Sequence, residues 1–382
     1  MKLPSGRCAL AVLLAAALGV GATGSASAGT WSERFTDRQD GAFDASDHLL
    51  EHRGALPVPI IVTEPAVGAG GGVALLYFRE SISGAREKSL ARGERMSVPD
   101  IGGVAAFKTS NGSQGVAGGY FGTLHGDRFR YLGALAKVDL NLDYYGLRGT
   151  PRRFALDAPL IVAQGLARLG ESDWFAGARY LHLDASARFE RDTPAEIALP
   201  ELESRIGRAS LVVDYDSRDN IFTPSRGSYL EVDLGVARPG LGGSSSFESL
   251  FARGFTYLPF GKAVVLGLRG DGKFTRGQVP FYAQPFVMLR GVPAMRYQGR
   301  NALVAEGELR YNLDPRWAVV GFAGTGKAYG DAVPFADAET VGAGGVGMRY
   351  LIARKMGLYA GIDVARGPED TVVYVQVGSA WN

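Results

Sequence analysis

From Pro57 to Trp381 the chain alternates, segment after segment, between an apolar set of residues and a set that is polar, charged or glycine. Leu132, Ala134, Ala136, Val138, Leu140, Leu142 and Tyr144 oppose Tyr131, Gly133, Leu135, Lys137, Asp139, Asn141 and Asp143, with Leu135 alone off pattern. Successive side chains on a β-strand point to opposite faces, so each segment offers one greasy face and one wet face. Leu181, Leu183, Ala185, Ala187 and Phe189 alternate with His182, Asp184, Ser186 and Arg188, and Leu230, Val232, Leu234 and Val236 with Glu231, Asp233 and Gly235. Val373, Val375, Val377 and Trp381 do the same against Tyr374, Gln376 and Gly378. Candidate strands fall near 58–67, 70–80, 100–110, 113–124, 129–144, 154–170, 174–189 and 203–217, then 226–239, 245–258, 263–276, 301–313, 317–329, 340–352, 356–367 and 371–381. Sixteen segments at about 22 residues each, connection included, suit strands with ~9–11 membrane-embedded residues. A soluble sandwich also alternates, but its strands average only ~5–6 residues. The expectation is an all-β fold: a sixteen-stranded antiparallel transmembrane β-barrel with apolar rows on lipid and polar rows in a wet lumen.

Residues 1–28 carry Lys2 and Arg7, an apolar stretch from Ala9 to Val20 and then Ala26-Ser27-Ala28, the pattern of a cleaved signal peptide. The apolar stretch falls short of the ~20 residues a spanning helix needs. Cys8, the one cysteine, lies inside the signal, leaving neither a disulfide framework nor a thiolate metal site. Losing Lys2 and Arg7 takes the formal net charge from +2 to zero, and nothing points to a nucleic-acid partner. Glycine, at 54 of 382 residues, is about twice its usual ~7% share, which suits tightly packed strands at a barrel wall. The expected organisation is a signal at 1–28, a short periplasmic segment at 29–56 and the barrel at 57–382.

Even strands are followed mostly by short connections, such as His125-Gly126-Asp127 and Asp314-Pro315-Arg316, and odd strands by the longer ones, such as 190–202, 277–300 and 330–339. Short periplasmic turns and long extracellular loops are the asymmetry of outer-membrane barrels. The arginine-rich stretch 81–99 breaks it. It is either a periplasmic excursion or a sign that the first strand, with Pro59 and Pro65, is miscounted. Trp174, Phe175, Tyr229, Trp317, Tyr350, Tyr359 and Trp381 fall near strand ends, where aromatic girdles lie.

Catalytic and nucleotide motifs are weak. Gly321-x4-Gly326-Lys327 imitates a phosphate loop, yet Ala328 replaces the Ser or Thr that would hold magnesium. Gly342-Ala343-Gly344-Gly345-Val346-Gly347 lies inside an alternating strand. His48 and His52 are spaced for one helix face but lack a third ligand, so no metal or other cofactor is expected. A hydrolase using His182 and Asp184 on the lumen face, or a passive pore, are the readings from other classes.

Leu289-Arg290-Gly291-Val292, in the long connection before the fifth strand from the end, resembles the arginine-glycine motif of the BamA/TamA-like outer-membrane assembly superfamily, the bacterial surface antigens. Asp216-Ser217-Arg218-Asp219-Asn220, running on to Pro224 and Gly227, is similar to the family's periplasmic turn. Glu306-Gly307-Glu308-Leu309-Arg310-Tyr311 resembles its Glu-Leu-Arg-Tyr strand, and Pro57-Val58-Pro59 through Gly70-Gly71-Gly72 its opening strands. The resemblance implies a loop folded into the lumen, with Arg290 paired to Glu306 or Glu308. It also implies a working seam between first and last strands, outer-membrane lipid and nascent outer-membrane proteins as partners, and a C-terminal recognition aromatic, here Trp381. Three features depart from the family, one being that the chain ends Trp381-Asn382 instead of on an aromatic. Gly324 stands where relatives carry an aspartate, and residues 29–56 are too few for a polypeptide-transport-associated domain.

Overall fold

The structure, a computed structural model, describes residues 35–91, 100–146 and 149–381. The signal expected at 1–28 lies outside them. Sixteen strands follow one another in chain order in a single antiparallel sheet. They are β1 Gly54–Val62, β2 Gly70–Phe78, β3 Ile101–Thr109, β4 Gln114–Leu124, β5 Phe129–Tyr144, β6 Arg152–Arg168, β7 Trp174–Phe189 and β8 Glu203–Asp216. The second half comprises β9 Gly227–Ala237, β10 Phe247–Phe260, β11 Val264–Gly277, β12 Asn301–Asn312, β13 Trp317–Tyr329, β14 Val341–Ala353, β15 Leu358–Arg366 and β16 Thr371–Val377. The sheet curls into a nearly closed barrel. Helix α1, Ser46–Glu51, precedes it, and helix α2, Ile82–Ala91, fills the described part of the connection from β2 to β3, so the strand count stands.

Ile61, Val73, Leu75, Val104, Leu135, Ile161, Leu211, Leu268, Val346 and Val373 are exposed on the outer face and form an apolar belt around the sheet. Water would make that belt an aggregation surface; hydrocarbon makes it the lipid face. On β9 the inward residues are polar, with Glu231 and Asp233 buried and Leu234 and Val236 exposed outside.

The expected assignment of faces fails on β5 and β7. There the apolar rows point inward: Val138, Leu142, Ala185 and Ala187 are buried in one cluster, with Leu181, Leu183 and Phe189 packed against it. Their polar partners stand outside, where Lys137 pairs with Asp157 (3.3 Å) and Arg153 with Asp143 (3.7 Å). His182 and Asp184 share that outer face, so the lumenal hydrolase site does not exist. The cause is strand length. β5, β6 and β7 run 16, 17 and 16 residues, against the ~9–11 that cross hydrocarbon. Their halves toward the long loops are charged outside and packed within. A period of two separates two faces but does not say which one carries oil.

Pro57 and Pro59 lie within β1 rather than marking its end. Residues two apart direct their amides to the same strand edge, so the two prolines blank one edge. β1 is laddered to β2 along its whole length, which leaves the other edge for them. Among the described residues no ladder joins β1 to β16, whereas each other neighbouring pair is laddered.

Candidate functional site

The connection 278–300 leaves β11 and turns into the barrel. Phe281, 2% exposed, anchors its start against the rings of Tyr144, Phe154 and Phe189, at 5.4, 5.1 and 5.7 Å between centroids. Further on, Val287, Leu289 and Val292 are buried with Val304 and Val341 on the inner wall. Gly324 and Gly326 make that descent possible: a Cβ on either would lie 2.7 Å from a side-chain carbon of Leu289 or Val287. An aspartate at 324 would have no space.

The descent delivers Arg290 to a set of carboxylates. Its Nε and Nη2 donate to Glu306 Oε1 at 2.8 and 2.7 Å, and Nη1 donates to Asp363 Oδ2 at 2.9 Å. Nη1 also lies 2.7 Å from Glu308 Oε2. The guanidinium carbon sits 3.5 Å from the centre of the Phe322 ring. Glu306 and Glu308 share the inner face of β12, as alternation requires, and Asp363 comes from β15. Glu306 also accepts from Arg269 (3.1 Å), Asp363 also accepts from Arg349, and Asp271 is shared by Arg269 and Arg253. Four arginines thus face four carboxylates with little access to water, and this balance makes burying them tolerable.

Around Arg290 the loop touches both sides of the seam. Gly291, at φ +91°, donates its N–H to the Tyr374 hydroxyl on β16 (2.9 Å), and a Cβ there would lie 2.9 Å from the Gly367 amide nitrogen. Arg296 and Tyr297 both donate to Glu369, between β15 and β16, at 2.8 and 2.7 Å. On the β1 side, Glu64 accepts from the Ala294 amide at 2.9 Å. Burial pushes the Glu64 carboxyl up, against the amides of Ala294 and Ala66 that hold it down.

The opposite end of the barrel, where the N-terminal segment lies, is bridged too. Leu49 of α1 and Ala45 before it pack against Leu56 and Val58 of β1 on one side and Ile352, Met356 and Leu358 on the other. Arg316, in the β12–β13 turn, donates to Asp37, Asp40 and Asp44 at 2.6, 2.7 and 2.7 Å. Arg354 pairs with Asp37 (2.6 Å) and Lys355 with Asp47 (2.5 Å). The Arg316 hydrogen bond, chiefly, brings the Asp40 carboxyl down to about 2.

The β8–β9 turn crosses toward the same place. Arg218 grips Asp216 with two hydrogen bonds (2.9 and 3.0 Å), and Asp219 accepts from the amides of Ser225 and Arg226, past the buried Pro224. Asn220 donates to the Met356 carbonyl at 2.7 Å, and Gly227, at φ +98°, supplies a bend that any Cβ would block. Past β16, Gly378 (φ +76°) turns the tail inward. Trp381 is buried beside Tyr257 (5.7 Å) and donates its indole N–H to Glu306 at 3.0 Å, so the tail ends on the carboxylate that holds Arg290.

Two of these roles carry a sequence signal and two do not. Glu306 and Glu308 follow from the period of β12. Asp363 and Arg316 leave no local mark, because each partner is contributed by a strand or segment far along the chain.

Residues 177–287 match the Omp85 superfamily domain. No curated protein sequence matches the chain. Among solved structures the chain is similar to BamA from Haemophilus ducreyi lacking POTRA domains 1–3, at 12% identity and TM-score 0.56, over 93% of this chain and 82% of that one. It is similar to CdiB from Escherichia coli, at 13% identity and TM-score 0.59, over 84% of this chain and 61% of that one. CdiB from Acinetobacter baumannii matches at 12% identity and TM-score 0.55, over 85% of this chain and 59% of that one. The chain therefore spans less than two thirds of either CdiB. At such identities the likeness is one of fold. With the superfamily domain and the apolar belt, it puts the protein in the outer membrane of a Gram-negative bacterium.

Proposed function

Because the chain is an outer-membrane barrel carrying an Omp85 superfamily domain, we propose that it assists the insertion or translocation of other proteins, with the β1–β16 seam as its working part. One observation carries this reading: β1 and β16 are the neighbours with no backbone ladder between them. The unlatched edge of β16 offers N–H and C=O groups to an incoming strand, which gains main-chain hydrogen bonds by adding to it, whereas Pro57 and Pro59 leave the free edge of β1 short of donors. Contacts from loop 278–300 and from the N-terminal segment hold the two edges near each other without pairing them. Such contacts can be released one by one, whereas a full ladder must be broken along its length.

In this reading Arg290 and its carboxylates are the fixed frame against which the seam moves, and Glu369 and Tyr374 are contacts that give way. The turn from Asp216 to Gly227 braces the periplasmic ends of β14 and β15. Trp381 serves as the aromatic by which the barrel was itself recognised during assembly, and becomes a lumenal anchor afterwards. No step requires bond-making chemistry, so the protein is proposed as a non-enzymatic barrel. A passive pore fits less well, because the loop and the N-terminal segment occupy the two ends of the lumen.

The mature chain has no cysteine, so Pro59→Cys and Val375→Cys place one thiol on each seam strand. Joined by a bifunctional thiol reagent, they should abolish folding of an unfolded barrel substrate into vesicles holding the purified protein, and a reducible reagent should allow recovery. Undiminished activity with the seam joined would overturn the proposal.

A further inference from the structure

The inner wall beside the seam lacks the polar groups a wet lumen calls for. Between β2 and β5 the inward side chains are Ala74 and Leu76, Ala105, Ala117, Leu132 and Ala134, with Gly103 and Gly119 among them. They line a recess of about 190 Å³. The glycines let the wall pack closely: a Cβ on Gly103 would lie 3.0 Å from Leu76, and one on Gly119 would lie 3.3 Å from the Ala134 methyl. Tyr120 alternates with Ala117 and Gly119 and so points to the outer face, where its hydroxyl donates to Asp100 (3.0 Å). The backbone of the wall is committed to the β2–β3, β3–β4 and β4–β5 ladders.

We propose that this recess binds one acyl chain of a bilayer lipid. Water in a cavity needs 2–4 polar partners, and apolar cavities of roughly this size stay dry and take up hydrocarbon. A peptide strand would bring amide groups that nothing in the recess could satisfy. A hydrocarbon chain brings none. Ala74, Leu76 and Ile101 also belong to the apolar core under α1, so the site continues that core upward along the wall. The recess starts one strand in from β1, whose free edge gives a route from the bilayer. The inference relies on the seam reading for that route alone; the cavity's chemistry stands without it.

Native mass spectrometry of the full mature protein, taken from vesicles of a single phosphatidylethanolamine, tests it. One lipid should stay with each wild-type barrel. Ala134→Leu, which fills the recess, should release it while the barrel still migrates as folded on an unheated gel. A cysteine at Ala117 should react with a water-soluble thiol reagent on the order of tenfold more slowly than one at Gln376, on the polar side, as a dry site requires. Equal reaction rates, a wild-type barrel without lipid, a folded Ala134→Leu barrel that keeps its lipid, or a bound peptide instead would each overturn the proposal. If Ala134→Leu loses the lipid but still folds substrate, the seam reading survives unaltered. If joining the seam strands leaves activity intact while the lipid is retained, the lipid site stands without the seam.

Discussion

Arg290 is held on three sides by carboxylates and on a fourth by the face of Phe322. Removing one member of a buried charge set leaves the others uncompensated, which costs about 3–5 kcal/mol, more than the pairing itself contributes. Arg290→Ala should therefore loosen loop 278–300 and lower stability by about that amount, read as a shift in the urea midpoint and as new protease cleavage within the loop on whole cells. Arg290→Lys should recover only part of the loss, because an ammonium keeps the charge but not the two-pronged grip on Glu306 or the stacking on Phe322. Full recovery of wild-type stability by Arg290→Lys would show that geometry is irrelevant here and charge alone matters. Gly291 gives a sharper local test. At φ +91°, with the Gly367 backbone against it, Gly291→Ala should free the Tyr374 contact while leaving Arg290 itself in place, and protection of Glu369-side peptides from hydrogen exchange should fall.

At the scale of elements, the N-terminal segment is held by charge as much as by packing, and charge makes it sensitive to acid. Asp40 titrates near 2 when bound to Arg316, against ~3.9 when free. A carboxyl held low in the folded state stabilises it above the unfolded value, and that contribution disappears as pH falls through the folded one. Asp44 shifts the same way, its hydrogen bonds from Ser46, Arg354 and Arg316 overcoming the opposing effect of burial. The segment should stay docked above pH ~4 and come away as pH falls toward 2, exposing 35–51 to pepsin before the strands open. Arg316→Ala should move that onset upward. A segment that stays protected to the lowest pH would mean that Leu49 and Ala45 hold it unaided. None of these pairings is legible in the sequence, since Asp37 and Arg316 are distant and no periodicity links them. Strand number and order are legible, because each strand carries its own alternation and each turn its own glycine or aspartate. Which face is wet is not legible, because it depends on how high a strand stands in the bilayer, and no strand encodes that by itself.

For the whole molecule, the height of the bilayer follows from where outer-face charges begin. On β5 the outer residue Leu135 is 65% exposed and apolar, and two positions on Lys137 pairs with Asp157. The extracellular boundary of the hydrocarbon therefore crosses β5 between them, and on β7 it runs below His182 and Asp184. Where the wall rises past that line, the lumen side fills with Phe154, Phe281 and their neighbours, so the upper barrel is built like a soluble β-protein and the lower like a membrane one. A charge placed on the lipid face costs about 2–4 kcal/mol at the bilayer midplane and about 0–1 near the interfaces. Val104→Arg and Leu135→Arg should thus destabilise the barrel in that order of depth, whereas Asp139→Arg and Asp184→Arg should leave folding into vesicles unchanged. The urea titration of each refolded variant decides it. Similar losses at Leu135 and Asp184 would place both positions at one depth, and the inward apolar row of β7 would then need another cause than water outside.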